Sequence, residues 1–311
     1  MQNLNFELIE QLAAVRATSG DEQPMTNFII DYINQNPNRW SKKPTIHTGG
    51  ELFDAVVLEI GNPKAAIFAH MDSIGFTVSY NNRLVRVGSP VLNEGTLLVG
   101  ADEHGEVEGK LIFKNDQIYI DFNREIARGT TLTFKPNFRK TEKTIQNCYC
   151  DNRLGVYTAL EIAQNSENGL FVLGCYEEHG GGSVANIVRW MWEKFKINQT
   201  IISDITWVTE GVKHGKGAAI SLRDSGIPRK EYLNKIIALA NQSLIPYQLE
   251  VESAGGSDGT EIQKSPYPID WVFIGAPESH VHSADEKVHI SDLMSMIKLT
   301  QFIFTKLQVH S

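Results

Sequence analysis

The sequence of 311 residues is poor in several features that mark particular classes of protein. It contains three cysteines, an odd number that is too small for a secreted disulfide framework. Its 37 acidic residues outnumber 29 basic ones, and the formal net charge of −8 disfavours a nucleic-acid partner or an anionic membrane surface. No apolar run is long enough to span a bilayer, and the first residues lack the pattern of a signal peptide. We therefore expect a cytoplasmic protein without nucleic-acid or membrane partners.

Apolar runs that are typical of buried strands alternate with helical patterns along most of the chain. Residues 65–69 form a continuous apolar run, as in a strand that is buried on both faces of a sheet. Residues 4–33 show helical spacing that is interrupted by a turn signal at residues 19–21, which predicts two helices. Further strand runs lie at residues 170–175, 200–203, 218–222 and 271–274. This alternation predicts an α/β fold with a doubly wound, mostly parallel sheet flanked by helices.

One stretch breaks the alternation. Residues 77–145 contain no convincing helical pattern, and the side chains at residues 118–122 alternate in the manner of a strand. We interpret this stretch as a small, β-rich, barrel-like domain at residues 76–146. It would be inserted into an α/β catalytic domain that comprises residues 1–75 and 147–311.

Polar residues that could carry chemistry follow the strand patterns at their carboxyl ends, where open α/β sheets bind ligands. They are His70 with Asp72, Glu177 with Glu178, Asp204, and His280 with His282, while Asp151 opens a helix. Two histidines and three carboxylates would make a site for two divalent ions. Imidazole and carboxylate together suit zinc or a neighbouring first-row ion rather than calcium.

Two ions at roughly 3.5–4 Å need a shared ligand, and a carboxylate can bridge them whereas an imidazole cannot. We choose Asp151 as the bridge. His70 and Asp204 would complete the shell of one ion. Glu178 and His282 would complete the shell of the other.

Two further acids receive supporting roles. Asp72 lies two residues beyond His70 on the same face of the strand, so it could accept the second imidazole N–H and fix the tautomer. Adjacent acids in a turn point in different directions, which leaves Glu177 free when Glu178 binds metal. Glu177 would act as the general base that takes a proton from a water bridging the two ions and donates it to the departing amine.

These residues lie in segments that resemble the glutamyl-aminopeptidase and tetrahedral-aminopeptidase family of dinuclear-metal metallopeptidases, peptidase family forty-two. The resemblance covers most of the chain in order, including a β-rich insertion between the first His motif and the bridging Asp. It selects His282 over His280 as the ligand. The segments are Ser19-Gly20-Asp21-Glu22, His70-Met71-Asp72, Cys150-Asp151-Asn152-Arg153, Tyr176-Glu177-Glu178, Ser203-Asp204-Ile205, Gly256-Ser257-Asp258-Gly259 and Val281-His282-Ser283.

The resemblance implies a zinc-exopeptidase-like fold and an aminopeptidase that removes N-terminal residues from peptide substrates. It also implies two zinc ions, or cobalt, per subunit and assembly into homo-oligomers. The chain departs from the family pattern at two places. Residues 179–183 lack the Arg that usually follows the Glu pair, and His280 stands where an aromatic residue is common. Neither departure removes a ligand, and both concern substrate preference.

Other functions remain open from the residues alone. N-acyl amino acid deacylases, dipeptidases and carboxypeptidases share this order of ligands, but their extra domain usually follows the fourth ligand segment. A glycosidase would need two carboxylates and usually no metal. A non-catalytic binding module is disfavoured because neither a ligand nor the base is missing. Asp258 could place an acid near the site or belong to a turn.

Overall fold

Two amphipathic helices open the part of the chain, residues 4–309, that the computed structural model describes. The first helix, α1 (Phe6–Ala14), begins after Asn5, whose side chain accepts a hydrogen bond from the backbone N–H of Leu8 at 3.2 Å. The second, α2 (Gln23–Gln35), has a proline in its first turn, where the missing N–H has no helical partner to lose. Both helices lie where the apolar spacing predicts them.

The described residues further contain five α-helices and seventeen strands. The other helices are α3 (Cys150–Gln164), α4 (Val184–Phe195), α5 (Lys230–Ser243), α6 (Asp258–Lys264) and α7 (Ile290–Leu307). The strands before α3 are β1 (Thr45–His47), β2 (Val56–Ile60), β3 (Ala66–His70), β4 (Gly75–Val78), β5 (Leu84–Val87), β6 (Leu97–Asp102), β7 (Gly105–Lys114), β8 (Gln117–Asp121), β9 (Thr131–Phe134), β10 (Arg139–Lys140) and β11 (Thr144–Asn147). The strands after α3 are β12 (Gly169–Gly174), β13 (Gln199–Trp207), β14 (Ala218–Arg223), β15 (Tyr247–Val251), β16 (Asp270–Ser279) and β17 (Glu286–His289).

The large sheet has the strand order β1-β2-β12-β3-β13-β16-β17-β11-β10, with β14 and β15 attached at β16. Its four central strands, β12, β3, β13 and β16, are parallel, and helices cover it, so the predicted α/β fold class is confirmed. Antiparallel strands extend this centre on both sides, which makes the complete sheet mixed. The connection between β16 and β17, residues 280–285, illustrates the reason, because it is too short for a parallel crossover.

A separate small β domain is built from the strands of the irregular stretch. Its antiparallel sheet has the order β5-β4-β9-β6-β7-β8 and encloses a core of its own, in which Phe76 and Phe134 pack edge to face. The following strands β10 and β11 pair with the large sheet instead. The domain boundaries that we placed at residues 76 and 146 therefore stay a prediction, and the pairing favours an end before Arg139.

Helix α3 lies unusually close to the centre of the large sheet. A Cβ atom at Gly155 would stand 2.2 Å from the backbone oxygen of Ser203 on β13, so only glycine allows this approach. The contact brings the first residues of α3 against the strand that carries Asp204. None of the helices in residues 4–309 is both long enough and apolar enough to cross a membrane.

Candidate metal centre

The polar residues singled out by the sequence converge at one edge of the large sheet. His70 ends β3, Asp204 lies on the neighbouring β13, and Glu177 and Glu178 follow β12 on the other side of β3. Asp151 stands at the start of α3. Together with His282, from the connection between β16 and β17, these side chains line one cavity of about 450 Å³.

The first group of potential ligands consists of His70, Asp151 and Asp204, which are all buried. One nitrogen or oxygen atom from each side chain lies within 4.8 Å of the others. His70 Nε2 is 3.1 Å from Asp151 Oδ1 and 3.7 Å from Asp204 Oδ2. A cation between these atoms would have one imidazole and two carboxylate ligands.

The second group consists of Asp151, Glu178 and His282, and its potential ligand atoms also lie within 4.8 Å of one another. His282 Nε2 is 3.3 Å from Asp151 Oδ2 and 3.2 Å from Glu178 Oε2. Asp151 therefore belongs to both groups and turns a different oxygen to each histidine. This arrangement is the one that a bridging carboxylate between two ions requires.

The electrostatics of the cluster favour cations. Burial alone would lower the pKa of His282, but hydrogen bonds from the imidazole to the carboxylates of Asp151 and Glu178 raise that pKa to about 11. Burial would likewise lower the pKa of His70, yet Asp204 and Asp151 raise it well above its usual range. The same carboxylates that favour a proton on each imidazole would favour a divalent cation in its place.

The side chains present also fit a pair of metal ions chemically. Glu178 Oε1 is buried and accepts no hydrogen bond from the described residues, so it has an acceptor site for which a metal ion is a suitable partner. Imidazole and carboxylate donors at one buried position are the donor set of zinc and related first-row ions. The ligand roles remain predictions.

A sequence profile of the M42 glutamyl aminopeptidase family matches residues 105–299 of the chain. The chain belongs to that family. Its members are metal-dependent peptidases, and this chain is accordingly a peptidase.

Solved structures of M42-like peptidases share the fold over nearly the whole chain. The aminopeptidase APDkam598 from the archaeon Desulfurococcus kamchatkensis is 20% identical with a TM-score of 0.85, covering 96% of this chain and 94% of its own. A TET aminopeptidase from a marine sediment Thaumarchaeota archaeon is 18% identical with a TM-score of 0.85, covering 98% and 96%. The TET1 peptidase of Pyrococcus horikoshii is 19% identical with a TM-score of 0.81, covering 96% and 98%. At these identities the likeness concerns the fold alone.

Glu177 of this M42 peptidase is close to the ligand groups but belongs to neither of them. Its Oε2 lies 3.9 Å from His70 Nε2, and its side chain lines the same cavity. Burial raises the pKa of Glu177 well above its usual range, and the charges of Asp204 and Glu178 raise it further. The side chains of the two adjacent acids therefore point in different directions. Glu178 contacts His282, whereas Glu177 faces the cavity.

Asp72 is fully buried behind His70 and accepts several hydrogen bonds. Its Oδ1 is 3.5 Å from His70 Nδ1 and 3.1 Å from the backbone nitrogen of Glu177. Its Oδ2 accepts from Ser19 Oγ at 2.6 Å and from the backbone N–H of Glu178 at 3.1 Å. One carboxylate therefore lies beside the imidazole of His70 and accepts hydrogen bonds from the turn that carries both glutamates.

The structure shows supporting contacts that the sequence did not reveal. The Ser89 hydroxyl, from the small β domain, lies 2.8 Å from His282 Nδ1 on the side away from Asp151. The backbone N–H of Val91 donates to the His282 carbonyl at 2.8 Å. Nothing local in the sequence signals the contact of Ser89 and His282, because these residues are 193 positions apart.

Buried groups beneath the cavity hold its backbone segments. The guanidinium of Arg153 donates to the backbone carbonyl of Met71 and, at 3.3 Å, to that of Val15. The backbone N–H of Asp151 donates to Glu286 Oε2 at 3.2 Å. Arg153 belongs to one of the family-like segments and Glu286 follows another, although the sequence alone assigned them no role.

The sequence left the positions of His280 and Asp258 open, and the structure places them differently. His280 is exposed, with its Nδ1 3.4 Å from the backbone oxygen of Asp285, and it does not line the cavity. The β16–β17 connection turns His280 outward, away from the cavity. Asp258 is the first residue of α6 and is 1% exposed, and burial raises its pKa to about 7.

Proposed function

We propose that this chain is a dinuclear metallo-aminopeptidase that removes residues from the free amino end of peptides. The observation that carries the proposal is the pair of ligand groups that share Asp151, with Glu177 excluded from both groups but facing the same cavity. His70 and Asp204 would hold one ion. Glu178 and His282 would hold the other.

The pair of divalent ions would supply a Lewis acid that polarises the scissile carbonyl and lowers the pKa of water. Glu177 takes a proton from the attacking water and delivers it to the departing amine. The raised pKa of Glu177 suits both steps. It makes the carboxylate a better proton acceptor for the attacking water, and the resulting acid can then donate the proton to the departing amine. Asp72 accepts the second N–H of His70, which keeps Nε2 directed at the ligand group.

Zinc is the metal that we propose, with cobalt as the alternative, at two ions per subunit. The mixed imidazole and carboxylate donors support this choice. A homo-oligomer is also part of the proposal, since the TET1 peptidase of Pyrococcus horikoshii can assemble into a tetrahedron or a large octahedral shell. Three free, buried cysteines support a cytoplasmic location.

The experiment compares hydrolysis of free and N-acetylated amino acid p-nitroanilides by protein reconstituted with zinc or cobalt. We expect cleavage only of the unblocked substrates, loss of activity in a chelator, and two ions bound per chain. Release of acetate from only the blocked substrates, without release of p-nitroaniline, would instead indicate a deacylase on this scaffold. Hydrolysis that persists in the chelator would contradict the metal mechanism.

The base is tested with the substitution Glu177→Gln. We expect kcat to fall by roughly a hundredfold to ten-thousandfold while two ions still bind, because Glu177 lies in neither ligand group. Glu193→Gln is a matched control, since Glu193 is exposed on α4, outside the cavity lining. An unchanged kcat in the Glu177→Gln protein would refute its role.

A further inference from the structure

The cavity extends beyond the candidate metal ligands into a region that none of the roles above uses. Its additional lining includes three carboxylates, of Asp224, Glu250 and Glu252, and two aromatic side chains, of Trp207 and Phe273. Asp224 follows β14, and Glu250 lies on β15. Among the described residues that line the cavity, none is Lys or Arg.

Two of these carboxylates are buried with little compensation. Asp224 is 7% exposed and Glu250 is 3% exposed. Asp224 Oδ1 accepts from the backbone N–H of Gly226 at 2.5 Å, whereas its Oδ2 has no side-chain donor within residues 4–309. Glu250 Oε1 accepts from the hydroxyl of Thr206. No Lys or Arg side chain of the described residues lines the cavity beside these two carboxylates, although a buried carboxylate is costly without a cationic partner.

The nearest guanidinium does not serve as that partner. Arg223 precedes Asp224 directly, but its Nε and Nη2 donate to the backbone carbonyl of Asp224, at 3.2 Å each. Its side chain is also absent from the cavity lining among the described residues. The charge of Arg223 offsets part of the effect of burial on the pKa of Asp224, and the remaining negative charge of the acidic region faces whatever enters the cavity.

The distance from the candidate metal centre matches the length of one amino acid side chain. Thr206 lies two residues beyond Asp204 on β13, which is roughly 7 Å along a strand. The Glu250 carboxylate accepts a hydrogen bond from the Thr206 hydroxyl, so the acidic region begins at a distance on the order of one side-chain length from Asp204. The ammonium of a Lys side chain stands roughly 6 Å from its own Cα.

Two aromatic residues of the cavity add surfaces that suit the side chain of Lys or Arg. Trp207 ends β13 and is 39% exposed, while Phe273 is 5% exposed on the neighbouring β16. Aromatic faces contact the alkyl stem of Lys or the guanidinium plane of Arg favourably. An acidic substrate side chain would meet like charges here, and a small apolar one would leave the buried carboxylates unpaired.

We propose that Asp224 and Glu250, with Trp207 as a wall, form a pocket for the side chain of a basic N-terminal residue. The peptidase would accordingly prefer substrates that begin with Lys or Arg. This inference rests on the aminopeptidase function proposed above. It names a substrate class opposite in charge to the glutamyl substrate in the family's name.

The test measures kcat/KM of the metal-reconstituted protein on the p-nitroanilides of Lys, Arg, Leu and Glu. We expect Lys and Arg to exceed Leu by about tenfold or more, and Glu to be slowest. Absence of cleavage with every substrate would refute the proposed function itself. Cleavage of Leu or Glu as efficient as that of Lys would refute only the basic pocket.

Variants separate recognition of the side chain from recognition of the α-amino group. Glu250→Gln keeps an oxygen acceptor for Thr206, and Asp224→Asn keeps one for Gly226. Each should lower the ratio of kcat/KM for Lys over Leu by about tenfold. Glu210→Gln, an exposed change in the loop after β13, is the control and should leave the ratio unchanged. Equal losses on Lys and Leu would show that these acids hold the α-amino group, which would overturn the inference.

A binding measurement supplies a readout without turnover. The Glu177→Gln protein, loaded with zinc, is titrated calorimetrically with L-lysinamide and L-leucinamide. We expect L-lysinamide to bind about tenfold more tightly, and the difference to disappear when Asp224→Asn is added. Equal affinities for the two amides would contradict a basic pocket.

Discussion

The substitution Asp72→Asn tests how the structure prepares its candidate metal ligands. Asp72 is 0% exposed, and each of its two oxygens faces two hydrogen-bond donors. Asparagine offers one oxygen and one amide group in the same space. Its best orientation keeps the oxygen toward His70 and Glu177 and turns the amide toward Ser19, whose hydroxyl can accept. The backbone N–H of Glu178 then meets another donor and loses its acceptor.

The expected losses of stability and of metal affinity follow from these contacts. An orphaned buried donor costs about 1–3 kcal/mol, and the remaining bonds to Asp72 lose the contribution of a charged acceptor. We expect the free energy of unfolding to fall by about 2–4 kcal/mol. Metal affinity should fall by roughly tenfold to a hundredfold, since the imidazole of His70 becomes less basic and the turn of Glu178 shifts.

The assay combines urea unfolding of the metal-free protein with calorimetric titration of zinc. Ser19→Ala is the matched control, because it removes one donor and leaves the carboxylate in place. That variant should lose about 1 kcal/mol of stability and bind zinc within a few-fold of the parent. Parental zinc affinity in the Asp72→Asn protein would refute the argument that this carboxylate orients the site.

Three further predictions concern other parts of the molecule. Ser89→Ala should weaken zinc binding by about tenfold, because it removes the hydroxyl that lies 2.8 Å from His282 Nδ1. Ser89→Thr keeps a hydroxyl and should bind zinc as the parent does, so equal zinc titrations for the two variants would contradict this prediction. Gly155→Ala should lower the free energy of unfolding by about 2–3 kcal/mol, since its Cβ would stand 2.2 Å from a backbone oxygen of β13; an unchanged urea midpoint would disprove the close approach. Arg124 holds the pKa of Asp102 below its ordinary value of 3.8, so the stabilisation is complete above that value and is lost as the pH falls toward the folded-state pKa. Asp102→Asn should therefore flatten the acid limb of a thermal unfolding profile below about pH 4, and an unaltered limb would count against the pairing.

The sequence predicts the elements whose pattern is local. The central strands β3 and β12 contain continuous apolar runs, and the periodicity of α1 and α2 is confirmed. Burial on both faces of a strand, or on one face of a helix, is directly visible in the order of residues. The antiparallel strands β1, β10 and β11 were not predicted. Each is at most four residues long, and its pairing is decided by distant partners.

The residues of the candidate site likewise fall into those that the sequence could predict and those that it could not. Residues that follow strand ends, such as His70 and Asp204, could be named because parallel strands place their carboxyl ends at one edge. The outward turn of His280 and the contact of Ser89 with His282 depend on how two chain segments meet in space. The acidic side of the cavity belongs to this second kind, since Asp224 and Glu250 lie on separate strands without a shared motif.

The loop at residues 88–91 makes the small β domain a structural participant in the candidate metal centre. Its backbone and side-chain groups reach His179 and both ends of His282. The small domain is therefore not an exchangeable module. A domain transplanted from a relative would have to reproduce this loop in the same position relative to the large sheet. We expect a change in the angle between the two domains to alter first the affinity for the ion proposed beside His282.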